Sequence, residues 1–142
     1  MSGIMIPRCK IERKILTSSV SITTLANDEL VNSSEVTVEE TGYYAVNLFL
    51  NMCGASSITN VGAYYIVRLL VNGNGAELHN LGNNRHIVVP IAKVWNYTNT
   101  ATIFVPLKKG DKVCAEFTNN TGISTNNTYA STFGFKLVKV SE

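Results

Sequence analysis

The sequence predicts an all-β domain, and three observations support that prediction. Several segments alternate apolar and polar residues with a period of two, the pattern of a half-buried strand. Asn, Thr and Ser form about three-tenths of the 142 residues, while charged residues form only 15%, so amides and hydroxyls supply most of the polarity. Apolar residues do not recur at the 3.6-residue spacing of a helix. We therefore expect eight to ten short strands in one sandwich or barrel.

The first half of the chain contains three strand candidates. Residues 35–39 alternate two valines with polar residues, and residues 64–71 are apolar on both faces except at Arg68. The second segment ends at Asn72-Gly73, which predicts a tight turn because both residue types accept positive φ. Residues 43–50 are apolar on both faces, so we expect both to be covered; one face carries Tyr44, Val46, Leu48 and Leu50.

The second half predicts further strands at residues 86–91, 94–97, 101–105, 112–117 and 132–140. Within 112–117, the alternation places Val113, Ala115 and Phe117 inward, with Lys112 and Glu116 outward. Residues 108–111 form a turn in which Asp111 is expected to cap backbone amides. Two polar stretches, residues 73–84 and 119–128, are predicted to be long exposed loops.

Residues suited to catalysis are scarce. The only aspartates are Asp28 and Asp111, and the only histidines, His79 and His86, lack the spacing of a metal site. No serine lies in a nucleophile elbow, and the Asn-Gly turns lack the lysine of a phosphate loop. We therefore expect no enzymatic activity, no catalytic or metal-binding residue and no cofactor.

Charge and apolar runs limit the partners. A net charge of +2, from 12 basic and 10 acidic residues, does not favour nucleic acid or a membrane surface. No stretch approaches the roughly 20 apolar residues that span a bilayer, and the N-terminus lacks the apolar core of a signal peptide. Cys9, Cys53 and Cys114 are odd in number and far apart, so we expect free thiols.

Two surface features remain, each with two interpretations. The first is a basic lead, which fits either a solvated edge strand with Ile11 and Ile15 packed inward or an anchor for an acidic partner; its residues are Arg8, Lys10, Arg13 and Lys14. The second is an aromatic and amide cluster, which fits either sugar recognition or the core face of one strand; its residues are Trp95, Asn96, Tyr97 and Asn99.

Four motifs, in order, resemble those of C1q-like and tumour-necrosis-factor-like domains. Gly42-Tyr43-Tyr44 is similar to the family's Gly-x-Tyr strand, and Leu69-Leu70-Val71-Asn72-Gly73 to its strand that ends in an Asn-Gly turn. Residues 107–113 resemble its Leu-x-x-Gly-Asp-x-Val motif. Residues 131–137 resemble its closing strand, with one residue missing before Gly134. The likeness spans about residues 33–140.

The resemblance implies a ten-strand jelly roll of two antiparallel sheets, whose last strand is central and whose protomers form a three-fold homotrimer. Four aromatic residues would divide between the jelly-roll core and the trimer contact: Tyr43, Tyr44, Phe133 and Phe135. The acidic residues that bind calcium in some family members have no clear counterpart here. Residues 1–30 would be a basic lead with the first strand or strands and a candidate anchor, and residues 31–142 would be the jelly-roll domain.

Animal members of the family carry a secretion signal and often a collagen stalk, and this chain shows neither. Bacterial viruses use the same jelly roll in head fibres, decoration proteins and receptor-binding knobs. The sequence therefore favours a non-enzymatic virion protein, made in a host cytoplasm and attached to a capsid or fibre protein through its N-terminal segment. The alternative is a module that binds a host receptor or surface glycan, on a phage or as a bacterial C1q-like surface protein.

Overall fold

The computed structural model describes residues 15–25, 28–53, 64–75, 87–90, 96–120 and 125–142. The described residues form strands and turns and contain no helix. The ten strands are β1 (Ile15–Leu25), β2 (Leu30–Asn32), β3 (Val36–Thr37), β4 (Gly42–Cys53), β5 (Tyr64–Val71), β6 (Asn74–Gly75), β7 (Ile87–Pro90), β8 (Asn96–Leu107), β9 (Lys112–Asn120) and β10 (Thr125–Ser141).

The strands form two antiparallel sheets that pack as a jelly-roll sandwich, which confirms the predicted fold class. Sheet A has the strand order β1-β10-β4-β8. Sheet B has the order β2-β9-β5-β6, with β3 also paired to β9 and β7 to β5. The chain passes repeatedly from one sheet to the other, as a double-sheet jelly roll requires. The last strand, β10, lies inside sheet A between β1 and β4, as the resemblance implies.

The core lies between the sheets and follows the predicted alternation. All four residues expected on one face of residues 43–50 are buried, as are Val113, Ala115 and Phe117 of β9. An aromatic stack crosses the core. The ring centroids of Tyr65 and Phe117 are 4.9 Å apart, and those of Phe117 and Phe133 are 5.3 Å apart. Because Phe133 belongs to sheet A and the other two rings to sheet B, the stack joins the sheets.

The boundaries of several predicted elements were wrong. Residues 119–128 are not one exposed loop, because Asn119 and Asn120 end β9 and residues 125–128 begin β10; Asn119 is fully buried. Residues 96 and 97 of one expected strand and residues 101–105 of the next belong to a single strand, β8, and residues 94 and 95 lie outside the described residues. Residues 35–39 form only the two-residue strand β3. Of the loop predicted at 73–84, the structure describes residues 73–75 alone.

Glu116 points away from the core as predicted, yet it is buried and not solvated. Its Oε1 lies 2.6 Å from Nε of Arg68, the residue directly opposite on β5. The Glu116 side chain is only 8% exposed, so the ion pair compensates a carboxylate withdrawn from water. The single arginine that interrupts the apolar strand of residues 64–71 therefore has a structural partner.

Two of the motifs meet at one end of the sandwich. Asn72 and Gly73 have φ of 52° and 80°, so a two-residue turn with positive φ joins β5 to β6 as predicted. Asn72 Nδ2 donates to Asp111 Oδ1 at 3.0 Å, and Asn72 Oδ1 accepts from the Lys112 amide at 3.0 Å. Asp111 Oδ2 also accepts from the Lys108 amide at 2.8 Å, which confirms its capping role. The two turns are thus locked together.

The bonds from Lys108 and Asn72 hold the pKa of the Asp111 carboxyl below its usual value of 3.8. A lowered carboxyl pKa stabilises the fold above the unfolded-state pKa, and that contribution is lost as the pH falls through the lower folded-state pKa. We expect Asp111→Ala to cost about 1 kcal/mol at pH 7. The cost should shrink as the pH drops below 3.8.

Urea unfolding of both proteins at pH 7 and at pH 2.5, roughly one unit below the usual Asp value, measures this difference. Lys109→Ala, which removes an exposed side chain from the same turn, is the control and should leave stability nearly unchanged at both pH values. A cost for Asp111→Ala that stays the same at both pH values would exclude the carboxylate as the source of the stabilisation.

Candidate functional site

The outer face of sheet A carries side chains from four strands in one continuous register. Pairing of β1 with β10, of β10 with β4 and of β4 with β8 aligns the outward side chains into rows that run across all four strands. Four rows are described. We name the first the apolar row; it contains Ile15, Val138, Ala45 and Phe104.

The apolar row is exposed at its two ends. Ile15 on β1 is 58% exposed and Phe104 on β8 is 49% exposed, while Val138 and Ala45 between them are half-buried. Val140, two residues beyond Val138, is 38% exposed. Three of the four large apolar side chains that the structure describes as exposed therefore lie at one end of sheet A. Because these exposed apolar side chains share one end of the sheet, that end is a candidate contact surface.

The other three rows are polar, and we name them the polar rows. The first contains Thr17, Lys136, Asn47 and Thr102, and the second Ser19, Gly134, Phe49 and Thr100. The third contains Ser21, Thr132, Asn51 and Thr98. Most of these side chains are exposed, and Phe49 is half-buried. Sheet A thus has an apolar end and an end lined mainly by hydroxyl and amide side chains. Lys136 lies in the polar row next to the apolar row.

The four aromatic residues expected to divide between core and trimer contact separate clearly in the single chain. Phe133 and Phe135 are fully buried in the core, and Tyr44 is 6% exposed with its hydroxyl donating to the Glu40 carbonyl. Burial raises the pKa of Tyr44. Tyr43 alone faces outward and is half-buried, opposite Pro106 of β8 and beside the apolar row. Only Tyr43 remains available for an intermolecular contact.

The expectation that residues 43–50 are covered on both faces was wrong for the single chain. Asn47 is exposed on the outer face of β4, where Tyr43, Ala45 and Phe49 are only half-buried. The second apolar face of this strand therefore lacks a cover among the described residues.

Part of the predicted sites lies outside the described residues. This is so for all four residues of the basic lead and for Trp95. Asn96 and Tyr97 form the start of β8, and their side chains are not among those described. Asn99 is half-buried on the same side of β8 as the core residue Ile103, opposite Leu50. Ile15, expected to pack inward in the edge-strand interpretation, points outward and is exposed.

The described residues offer little reactive chemistry. They contain no group of three His, Cys, Asp or Glu side chains that could hold a metal ion, and no helix that could cross a membrane. Cys114 is a free, buried cysteine on the outer side of sheet B, and burial raises the pKa of its thiol. A raised thiol pKa disfavours the reactive thiolate at neutral pH.

Sequence reasoning missed the apolar row and the polar rows. The signal was present in β8, where outward threonines at 98, 100 and 102 are followed by an outward phenylalanine at 104. Recognising it required the register of four strands that are far apart in the chain, and periodicity within one strand does not supply that register.

No protein-family model matches the chain, and no curated protein is similar to it in sequence. A family 35 carbohydrate-binding module from Clostridium thermocellum aligns with a TM-score of 0.46 at 14% identity, covering 89% of this chain and 99% of that chain. A carbohydrate-binding module of lichenase 5A from Cellvibrio mixtus, in complex with cellotriose, aligns with a TM-score of 0.37 at 12% identity, covering 89% and 88%. Similarities this low do not identify a function for this chain.

Proposed function

We propose that this chain is a non-enzymatic structural protein that assembles as a homotrimeric knob through the apolar end of sheet A. The exposed apolar row carries the proposal. Its two most exposed side chains, Ile15 and Phe104, lie on the opposite edge strands of the sheet. A contact between the Phe104 edge of one copy and the Ile15 edge of the next joins different surfaces, and repeated contacts of this kind form a ring when the rotation between copies closes. The resemblance to C1q-like domains implies a ring of three.

Phe104→Lys should convert the trimer into monomers, because it places a charge in a contact that water must leave. Light scattering should then give the 15.5 kDa of one chain. Thr100→Lys is the matched control, since Thr100 lies on the same strand and face but in a polar row; it should keep the trimer. Circular dichroism should show an unchanged fold for both variants. A Phe104→Lys protein that stays trimeric would exclude the apolar row as the contact.

We further propose that the trimer decorates a virion, attached to a capsid or fibre protein through the basic lead. Four basic residues within seven positions support an electrostatic contact with an acidic surface. Ile15–Leu25 is a strand of sheet A, so we assign the proposed anchor to residues 1–14. Deletion of residues 1–14 should abolish attachment to particles, while the shortened chain should still form a trimer. Undiminished attachment would exclude this segment as the anchor.

The polar rows favour carbohydrate binding as a second function. Ser, Thr and Asn side chains supply both donors and acceptors for sugar hydroxyls, and Phe49 supplies an aromatic surface among them. The polar rows are a different surface from the site predicted at Trp95, Asn96, Tyr97 and Asn99. Because the apolar row lies at one end of the sheet, trimer contact and glycan binding can use different ends of the same face.

A further inference from the structure

Lys136 has an unusual electrostatic setting within sheet A. It is exposed on β10, with Thr17 opposite on β1 and Asn47 opposite on β4. It is the one charged side chain in the three described polar rows. Among the described residues no carboxylate pairs with it. By contrast, Arg68 is paired with Glu116 at 2.6 Å and Lys139 with Glu40 at 3.2 Å.

Side chains of the polar rows are held by hydrogen bonds to one another. Thr102 Oγ1 donates to Asn47 Oδ1 at 2.7 Å, which occupies that oxygen and leaves the Asn47 amide N–H groups for an incoming acceptor. In the third polar row, the Ser21 and Thr132 hydroxyls are 2.8 Å apart and hydrogen-bonded to each other. The polar rows therefore offer one hydrogen-bonded pair in the same row as Lys136 and a second pair two rows away, with no second charged side chain among them.

Phe49 lies diagonally from Lys136. It is on the neighbouring strand β4, one row further along, since Phe49 pairs with Gly134 and Asn47 pairs with Lys136. Diagonal positions on one sheet face are about 7–8 Å apart. One pyranose ring fits across that span, with its C–H face against Phe49 and a carboxylate on the ring reaching Lys136.

We propose that the polar rows bind an acidic polysaccharide, with Lys136 pairing with the carboxylate of a uronic-acid residue whose ring packs on Phe49. This inference rests on the proposed carbohydrate-binding function and specifies its ligand class. Charge complementarity is the reason for choosing an acidic sugar, because a carboxylate can form a charge-assisted hydrogen bond with Lys136 that a neutral glycan does not form.

Isothermal titration with polygalacturonate and with alginate, each also in a carboxyl-reduced form, tests the proposal. The unmodified protein should bind the acidic forms at least about tenfold more tightly than the reduced forms, and Lys136→Gln should lose that preference. Phe49→Ala should weaken binding to both forms. Lys112→Gln, which removes an exposed lysine from sheet B, is the matched control and should bind as the unmodified protein does.

Each outcome is decisive, provided that urea unfolding shows all variants folded. Equal binding of acidic and reduced forms, with no effect of Lys136→Gln, overturns the acidic-sugar inference and leaves carbohydrate binding standing. Equal losses from Lys112→Gln and Lys136→Gln indicate nonspecific electrostatic attraction and also overturn it. No binding of any form overturns both the inference and the proposed carbohydrate-binding function.

Discussion

Phe117→Ala is expected to lower the free energy of unfolding by about 3–5 kcal/mol, the usual cost of removing a large buried aromatic ring. Phe117 is 1% exposed and lies between the rings of Tyr65 and Phe133. Its loss opens a cavity and breaks the aromatic contact between sheet B and sheet A at the same time. Strand β9 is paired with β2 on one side and with β5 on the other, so its backbone has little freedom to move into the space.

Equilibrium unfolding in urea, followed by circular dichroism, measures this cost. Phe104→Ala removes the same atoms from a half-exposed position and is the control. It should cost far less in the isolated domain, because less apolar surface returns to water. The comparison is made under dilute conditions in which both variants have the same association state. Equal costs for the two variants would contradict the assignment of Phe117 to the centre of the core.

Gly134→Ala is expected to destabilise the protein by about 3 kcal/mol, the upper end of the usual cost of overpacking. An added Cβ would collide with the Ser18 carbonyl oxygen and lie only 2.8 Å from Ser19 Cα. These are backbone atoms of β1, which cannot rotate away as a side chain would. The methyl group therefore forces β1 away from β10, the central strand of sheet A.

Hydrogen exchange identifies where the damage occurs. In Gly134→Ala, amides of β1 should lose protection before those of β4, which pairs with the opposite side of β10. Thr100→Ala, which removes atoms from an exposed side chain on the same sheet face and adds none, should leave protection unchanged. Normal protection throughout β1 in the glycine variant would show that the strands tolerate the extra carbon.

The sequence allowed the strands and their inner faces to be predicted because burial on one side of a strand imposes a period of two. Val113, Ala115 and Phe117 illustrate this rule, and all three are buried. The turn at Asn72-Gly73 was predictable for a different reason, since positive φ at two successive positions restricts the residue types that fit.

Features that depend on distant partners were not predictable. Residues 119–128 look like a loop because Asn and Thr dominate them, yet Asn119 is fully buried in β9. The strand pattern predicts that Glu116 is solvated. Its burial depends on Arg68, which lies opposite it in the sheet but 48 positions away in the sequence. Likewise, the four residues of the apolar row come from four strands whose register no local pattern specifies. In each case, pairing between strands that are far apart in the chain determines which side chains are buried or aligned.

The central claim, that three copies associate through sheet A, is tested most directly by the mass of the unmodified protein in solution. Light scattering over a concentration series should give about 46.5 kDa, three times the 15.5 kDa of one chain, with no dissociation at low micromolar concentration. A constant mass of 15.5 kDa over the whole series would contradict the account.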